Sequence, residues 1–302
     1  MDILIPLEIG SRETLYKTYL CNLLTLSGFT CYLGTKRNIW KLVRKFDKYI
    51  YLDKGYHMGV SDKIYKIIKE REGIIVSLDD EGAIDYPDNS TIKERYAKTL
   101  FSKSDLVLMW GKEQKEVVFS NISDSTKVLV TGHPRFELLR KEYRLFYQDD
   151  VKSIEKLYSN FILINTNMGL GNNINGDEYI SRTYRERTPN IDQLIDFNKK
   201  KLDVFVNLII KLSNESGKTI VLRPHPEENR QYYTNAFKGL SNVHITYEGS
   251  VIPWILACEI MIHPDCTTGV ESLLLGKKSI SFLPKTYNVN HVTKLPLEAS
   301  YK

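Results

Sequence analysis

The sequence predicts an α/β protein of two Rossmann-like domains in series. Three observations predict it. Short β-branched and apolar runs recur along the whole chain, apolar throughout, as parallel strands buried on both faces are. Helical patterns separate them, and strands alternating with helices imply a doubly wound parallel sheet. The alternation pauses once, across the charged stretch Glu142–Lys156, and then restarts. That pause divides the 302 residues into an N-terminal domain, 1–150, and a C-terminal domain, 151–302.

In the first domain the expected strands are Ile3–Leu7, Thr30–Leu33, Lys48–Leu52, Gly73–Leu78, Leu106–Trp110 and Lys127–Thr131. Glu13–Ser27 reads as a helix with Leu15, Tyr19, Leu23 and Leu24 on its apolar face. Asp62–Glu72 and Ser90–Lys103 are further helices, the second opening on a Ser90 cap. In the second domain Asn160–Asn165, Thr219–Leu222, Val243–Tyr247 and Glu259–His263 are strands. Asn190–Ser216, Glu228–Lys238 and Val251–Cys258 are helices, and a last helix–strand pair follows Cys266. The long polar stretch Met168–Arg187 reads as a loop, and loops of that length in compact domains are often functional. Two such halves suggest a GT-B type architecture, with donor and acceptor meeting in a cleft between the domains.

Composition narrows the function classes. The hydrophobic share of 42% and charged share of 26% are those of a soluble globular protein. The net charge of +5 favours an anionic substrate or a membrane surface, and no Lys/Arg block is dense enough to indicate nucleic acid. Cys21, Cys31, Cys258 and Cys266 have no CxxC spacing and read as reduced thiols of a cytoplasmic protein. The start, MDILIPLEIG, carries Asp2 and Glu8 where a signal peptide would be basic. No apolar run approaches the ~18 residues of a membrane span.

Each polar cluster falls just after a strand, where ligands bind in an open α/β sheet. HPDCTTGVES places Thr267 or Thr268 at a helix start, whose free N–H groups and dipole suit a phosphate. Gly269 would let a ligand approach the backbone, and Glu271 could accept hydrogen bonds from ribose hydroxyls. The plainer account is that Thr267 caps the helix and Glu271 complements its dipole. RPHPEE sets Arg223 and His225 at a strand end, facing a phosphate or carboxylate, with Pro224 and Pro226 stiffening His225. SLDDEGA gathers Asp79, Asp80 and Glu81. Three acids together repel, and such a group can hold a raised pKa and serve as nucleophile, base or acid. A solvated turn or a metal site is the alternative, and strand alternation sends Asp79 and Asp80 to opposite sides. TGHPRFELL offers Arg135 to the cleft, and NTNMG offers Asn165 and Asn167.

LDDEGA, TGHPRFELL, INTNMG, LRPHPEE and HPDCTTGVESLLLGK occur in the order seen in a family of bacterial surface-carbohydrate biosynthesis proteins. The sequence resembles that family from about Ile3 onward. The family is similar to the Kdo-type transferases of capsule and lipopolysaccharide assembly, and more distantly to the CDP-glycerol glycerophosphotransferases. The resemblance implies a cytoplasmic GT-B glycosyltransferase using a nucleotide-activated, CMP-linked donor on a glycan or lipid-linked glycan acceptor. It also implies peripheral contact with the inner face of the cytoplasmic membrane. By motif, His225, Thr267, Thr268 and Glu271 would hold nucleotide and phosphate, and Asp79, Asp80 or Glu81 would supply the catalytic carboxylate. No cofactor or metal is expected, because protein groups would carry the phosphate charge. The sequence departs from the family with DDEG for DEEG and GHPRF for GNPRF. It ends at Lys302, where relatives run further, so the returning C-terminal helix of GT-B proteins is expected to be missing. Two other readings share the pattern: a UDP-sugar 2-epimerase, and a non-catalytic nucleotide-sugar-binding subunit of a polysaccharide assembly complex.

Overall fold

Each expected apolar run forms a strand, and all pair in parallel. The computed structural model describes every residue except Ala83, Glu186, Arg187, Pro189, Thr286 and Lys302. The last residues of the SLDDEGA motif (Ala83) and of the Met168–Arg187 stretch (Arg187) therefore lie outside the described residues. The chain divides into two compact units, Met1–Tyr143 and Arg144–Lys302.

The first unit holds β1 (Asp2–Leu7), β2 (Thr30–Thr35), β3 (Ile50–Asp53), β4 (Ile74–Leu78), β5 (Leu106–Met109) and β6 (Val128–Val130). They form one sheet in the order β2-β1-β3-β4-β5-β6. The order reverses between β1 and β3, so a topological switch point lies where those two strands end. Leu4, Tyr51, Ile75, Val107 and Met109 pack with Ile39, Val43, Ile64 and Ile68 of the covering helices. The second unit holds β7 (Ile162–Asn165), β8 (Ile220–Arg223), β9 (Val243–Ile245), β10 (Ile260–His263) and β11 (Ser279–Ser281), in the order β11-β10-β7-β8-β9. Its switch point lies between β7 and β10. Ile164, Leu222 and Ile262 pack there against Phe205 and Ile209 of the long helix Ile191–Glu215.

Local readings needed correction where packing overrode pattern. The first helix, Gly10–Leu26, buries Glu13, Tyr16 and Lys17, while Leu15 and Leu23 are exposed. Its polar face is the one turned inward, because the strand ends beneath it are charged. Ser90–Lys103 is two helices, Ser90–Arg95 and Lys98–Lys103, and Ser90 is no cap: Asn89 precedes the helix with φ 58° and makes no side-chain cap bond. The stretch read as a loop after Met168 contains the helix Asp177–Tyr184. Gly171 sits against the long helix so closely that an added Cβ would lie 2.6 Å from the Lys199 nitrogen. Among the described residues, no helix is long and apolar enough to cross a membrane.

Candidate functional site

In the first unit, the three acids after β4 meet cations that the sequence reading did not assign to them. Asp79 accepts two bonds from Arg95 Nη1, at 2.9 and 3.1 Å, and one from the Glu81 backbone N–H. Asp80 accepts from the Tyr16 hydroxyl, from Lys17 Nζ at 3.2 Å and from His133 Nε2 at 3.1 Å. Glu81 pairs with Arg12 at 3.3 Å and with Arg95. Glu13, wholly buried, accepts from Lys17, Lys54 and the backbone of Glu8 and Ile9, bridging the β1–β3 switch point.

This overturns the expected rise in carboxylate pKa. Burial alone would raise Asp80, but His133, Lys17 and Tyr16 outweigh it and hold it well below the usual range. Burial would raise Glu81 too, yet Arg95 and Arg12 bring it down. Four nearby cations, Arg12, Lys17, Lys54 and Arg95, answer the repulsion. The carboxylate that burial does raise, to about 6, is Asp53 at the end of β3, partly offset by the Tyr65 hydroxyl.

Access separates the three acids. The Asp79 and Asp80 side chains are 4% and 3% exposed, whereas Glu81 is 33% exposed. His133 is buried between Tyr16 and Trp110, with ring centroids at 5.2 and 4.9 Å. Its Nδ1 accepts from the Arg135 backbone N–H, so Nε2 carries the proton given to Asp80. Burial lowers its pKa and outweighs Asp80, which agrees with a neutral ring. Arg135 is buried with its guanidinium over the Phe136 ring.

In the second unit the loops after β7, β8 and β10 are tied together by two buried carboxylates. Glu228 accepts from the Thr166 and Tyr233 hydroxyls, from the Met168 N–H at 2.8 Å and from the His225 N–H. Burial raises its pKa despite those donors. Asp265 accepts from Lys201 Nζ at 2.8 Å, Asn167 Nδ2 at 3.0 Å and the Thr293 N–H at 2.9 Å. Burial would raise Asp265, but Lys201 outweighs it and lowers its pKa. Asn167 also accepts from Lys201, and Asn165 is buried with Nδ2 on Met261 Sδ.

Several ligand-facing expectations change here. Arg223 donates to the Glu248 and Gly249 carbonyls and lies over the Trp254 ring at 4.9 Å, so its guanidinium braces that loop. Gly269 is needed for internal packing: an added Cβ would lie 2.6 Å from the His263 ring and 2.8 Å from Ser300 Oγ. Thr267 precedes the helix Thr268–Leu274 without a side-chain cap bond, so the capping role is not what it does. Thr268 opens that helix, its hydroxyl beside Cys266. Glu271 is buried near Tyr147, whose hydroxyl burial and Glu271 push up to about 12. His225 is half-buried, its Nδ1 accepting from the Glu227 N–H, which leaves Nε2 directed away from that turn.

The supporting residues left signals in the sequence. Glu13 and Lys17 stand four apart on one helix face. Lys201 interrupts the buried stripe Leu194, Phe197, Leu202 and Phe205. A charge on an apolar stripe requires a buried partner. Among the described residues, no group of three or more His, Cys, Asp and Glu side chains is placed to hold a metal ion.

No family model and no curated protein matches this chain. Solved structures do. UDP-GlcNAc 2-epimerase from Neisseria meningitidis bound to UDP-GlcNAc superposes with a TM-score of 0.61 at 13% identity, covering 99% of this chain and 90% of that one. The Methanocaldococcus jannaschii UDP-GlcNAc 2-epimerase in complex with UDP-GlcNAc and UDP gives 0.61 at 12%, covering 93% and 83%. The wall teichoic acid polymerase TagF with CDPG gives 0.56 at 11%, covering 93% and 69%. The chain shares their fold. At such identity the likeness is one of fold, and activity rests on the site's own chemistry.

His263 yields a pH test of this loop system. Its Nδ1 accepts from the Cys266 N–H and its Nε2 meets Ser300 Oγ at 2.8 Å. Burial pulls its pKa from 6.5 down to about 4, against the pull of Asp265. The unfolded chain therefore takes up the proton first. The stability this supplies is complete above about pH 6.5 and is lost as pH falls towards 4. We expect a loss of about 3 kcal/mol across that window, and a visibly shallower slope in His263→Gln, read from denaturant midpoints. Equal slopes in the two proteins would show that His263 titrates normally.

Proposed function

We propose that this chain is a glycosyltransferase of surface-polysaccharide synthesis that takes a nucleotide-activated, cytidine-linked donor. One observation carries the reading. At the β7–β10 switch point, buried Glu228 and Asp265 consume the inward donors of the three loops, while His225, Gly169 and the threonines 267 and 268 stand at the same strand ends. Switch points are where open α/β sheets take ligands. His225 and the threonine hydroxyls suit a phosphate-linked nucleotide there. In the first unit, Glu81 is the partly exposed carboxylate of its cluster, and we assign it to the acceptor or the reacting sugar.

A thermal-shift screen with CMP, CDP, UDP and GDP tests the donor. CMP or CDP should raise the melting temperature most, and a ligand at 100 times its Kd adds about 2.7 kcal/mol. Thr268→Val should reduce that shift. A preference for UDP would sink the cytidine assignment and favour a second reading, a UDP-sugar 2-epimerase. That reading draws on the high mutual coverage with the Neisseria enzyme. UDP-GlcNAc alone then discriminates, because an epimerase converts it without an acceptor.

A further inference from the structure

The switch point of the first unit lies between β1 and β3, and the loop after β3 carries an imidazole, His57, which none of the networks above engages. β3 and β4 pair with Asp53 opposite Ser77. Past the strand ends the two loops stay side by side. The Asp80 N–H donates to the Lys54 carbonyl at 2.9 Å. Gly55 lies against the acid cluster: an added Cβ would come 3.2 Å from Asp79 Oδ1 and 3.7 Å from Arg95 Nη1. His57 stands two residues further along. Its backbone is fixed on both sides. The N–H donates to Ser61 Oγ at 2.9 Å, and the carbonyl accepts from the Val60 and Ser61 N–H groups. Tyr56 before it is buried, with its hydroxyl on Asp62 at 2.7 Å. His57 itself is exposed, and its ring makes no hydrogen bond or ion pair among the described residues. The charges that act on the ring are Arg95, Asp79, Lys36 and Glu81. It therefore shares its surroundings with Glu81, the partly exposed acid of the cluster.

Transfer to a hydroxyl needs a group that takes its proton, and the other candidates at these strand ends are unsuited to it. Asp80 and Glu81 are held ionised, below the usual carboxylate range, so neither keeps a proton near neutral pH. Asp79 is occupied by Arg95. His133 already gives its Nε2 proton to Asp80. Asp53 is raised to about 6, but it is buried under the Tyr65 hydroxyl and the Lys54 N–H. His57 differs from all of them. Loss of solvent lowers its pKa from the ordinary 6.5, Arg95 and Lys36 add to that, and Asp79 and Glu81 oppose it. The ring is then neutral near pH 7, with a lone pair that no protein donor fills.

We infer that His57 is the general base of the first unit. It takes the proton of the acceptor hydroxyl, while ionised Glu81 faces that hydroxyl or the charge developing on the sugar. The acceptor oxygen bonds to the anomeric carbon of the donor sugar. The bond from that carbon to the phosphate breaks, and its electron pair leaves with the nucleotide. The inference rests on the glycosyl-transfer reading, and its test separates the two. CMP release from CMP-Kdo and CMP-N-acetylneuraminate is measured across the acid and neutral range, with water and with an oligosaccharide panel as acceptors. In the wild type the rate should fall in acid as His57 takes up a proton. His57→Gln and His57→Ala should lose roughly 10²–10⁴-fold in kcat, and the acid limb with it. Free imidazole should restore part of the rate to His57→Ala and none to Glu81→Gln. Both His57 variants should keep the wild-type melting temperature and its rise with CMP, because the side chain is exposed and the donor is assigned to the second unit. Wild-type turnover matched by both variants would overturn the inference and leave the transferase reading standing. So would a rate lost in His57→Ala that imidazole does not restore and whose acid limb persists. No turnover of either donor by the wild type would overturn the reading, and the inference with it.

Discussion

Glu81→Gln should abolish most transfer while leaving the fold intact. Of the three acids after β4, only Glu81 exposes a third of its side chain, and the two that are buried are fully engaged. Arg95 and Arg12 hold its pKa below normal against the cost of burial. A carboxylate kept ionised in this way suits contact with an acceptor hydroxyl, or with positive charge developing on a sugar, more than proton uptake. Removing such an electrostatic partner costs on the order of 10²-fold or more in rate. The amide keeps the shape and can still accept from Arg12, so the melting temperature should hold. Asp80→Asn should behave in the opposite way. It takes from Lys17 one of its two buried carboxylates, Glu13 remaining at 2.8 Å, and from His133 a charged acceptor, and a hydrogen bond to a charged group contributes about 1.5–3 kcal/mol. Rates measured with the donor that stabilises the chain, beside melting curves of both variants, separate the two roles. Wild-type transfer by Glu81→Gln would remove it from the chemistry.

Lys201→Met should destabilise the second unit by about 3–5 kcal/mol, roughly a 10 °C fall in melting temperature for a unit of this size. Lys201 and Asp265 are each 3% exposed and 2.8 Å apart. Without the ammonium, Asp265 keeps, among the described residues, the Asn167 amide and the Thr293 backbone as donors. A buried carboxylate so placed must either take up a proton or draw in water. The double variant Lys201→Met with Asp265→Leu removes both charges and should recover much of the loss, since apolar groups of similar volume often replace buried pairs at little cost. A melting temperature within a degree or two of wild type in Lys201→Met would show that the pair is solvated. Failure of the double variant to recover would show that Asp265 is needed for its bonds to the loops after β7 and β10, apart from its charge.

Both sheets were readable before any coordinates. Strands such as Ile162–Asn165 and Ile220–Arg223 are buried along nearly their whole length, and a parallel strand covered on both faces leaves a continuous apolar run. The polar motifs were readable as strand ends for the same reason, because the runs stop there. Which groups meet was not readable. Tyr16 and Asp80 are 64 residues apart, His133 and Asp80 53, and Lys201 and Asp265 64. Pattern along a chain reports how often a residue is buried, not what it is buried against. Hence Leu15 and Leu23 read as a core face, while Glu13, Tyr16 and Lys17 are the residues turned inward. Hence Gly269 read as room for a ligand, although the His263 ring occupies that space. The charge state of Asp80 likewise depends on Lys17 and His133, which parallel-strand crossovers bring to it. Electrostatic energy falls off with distance in space, and only the folded sheet sets those distances.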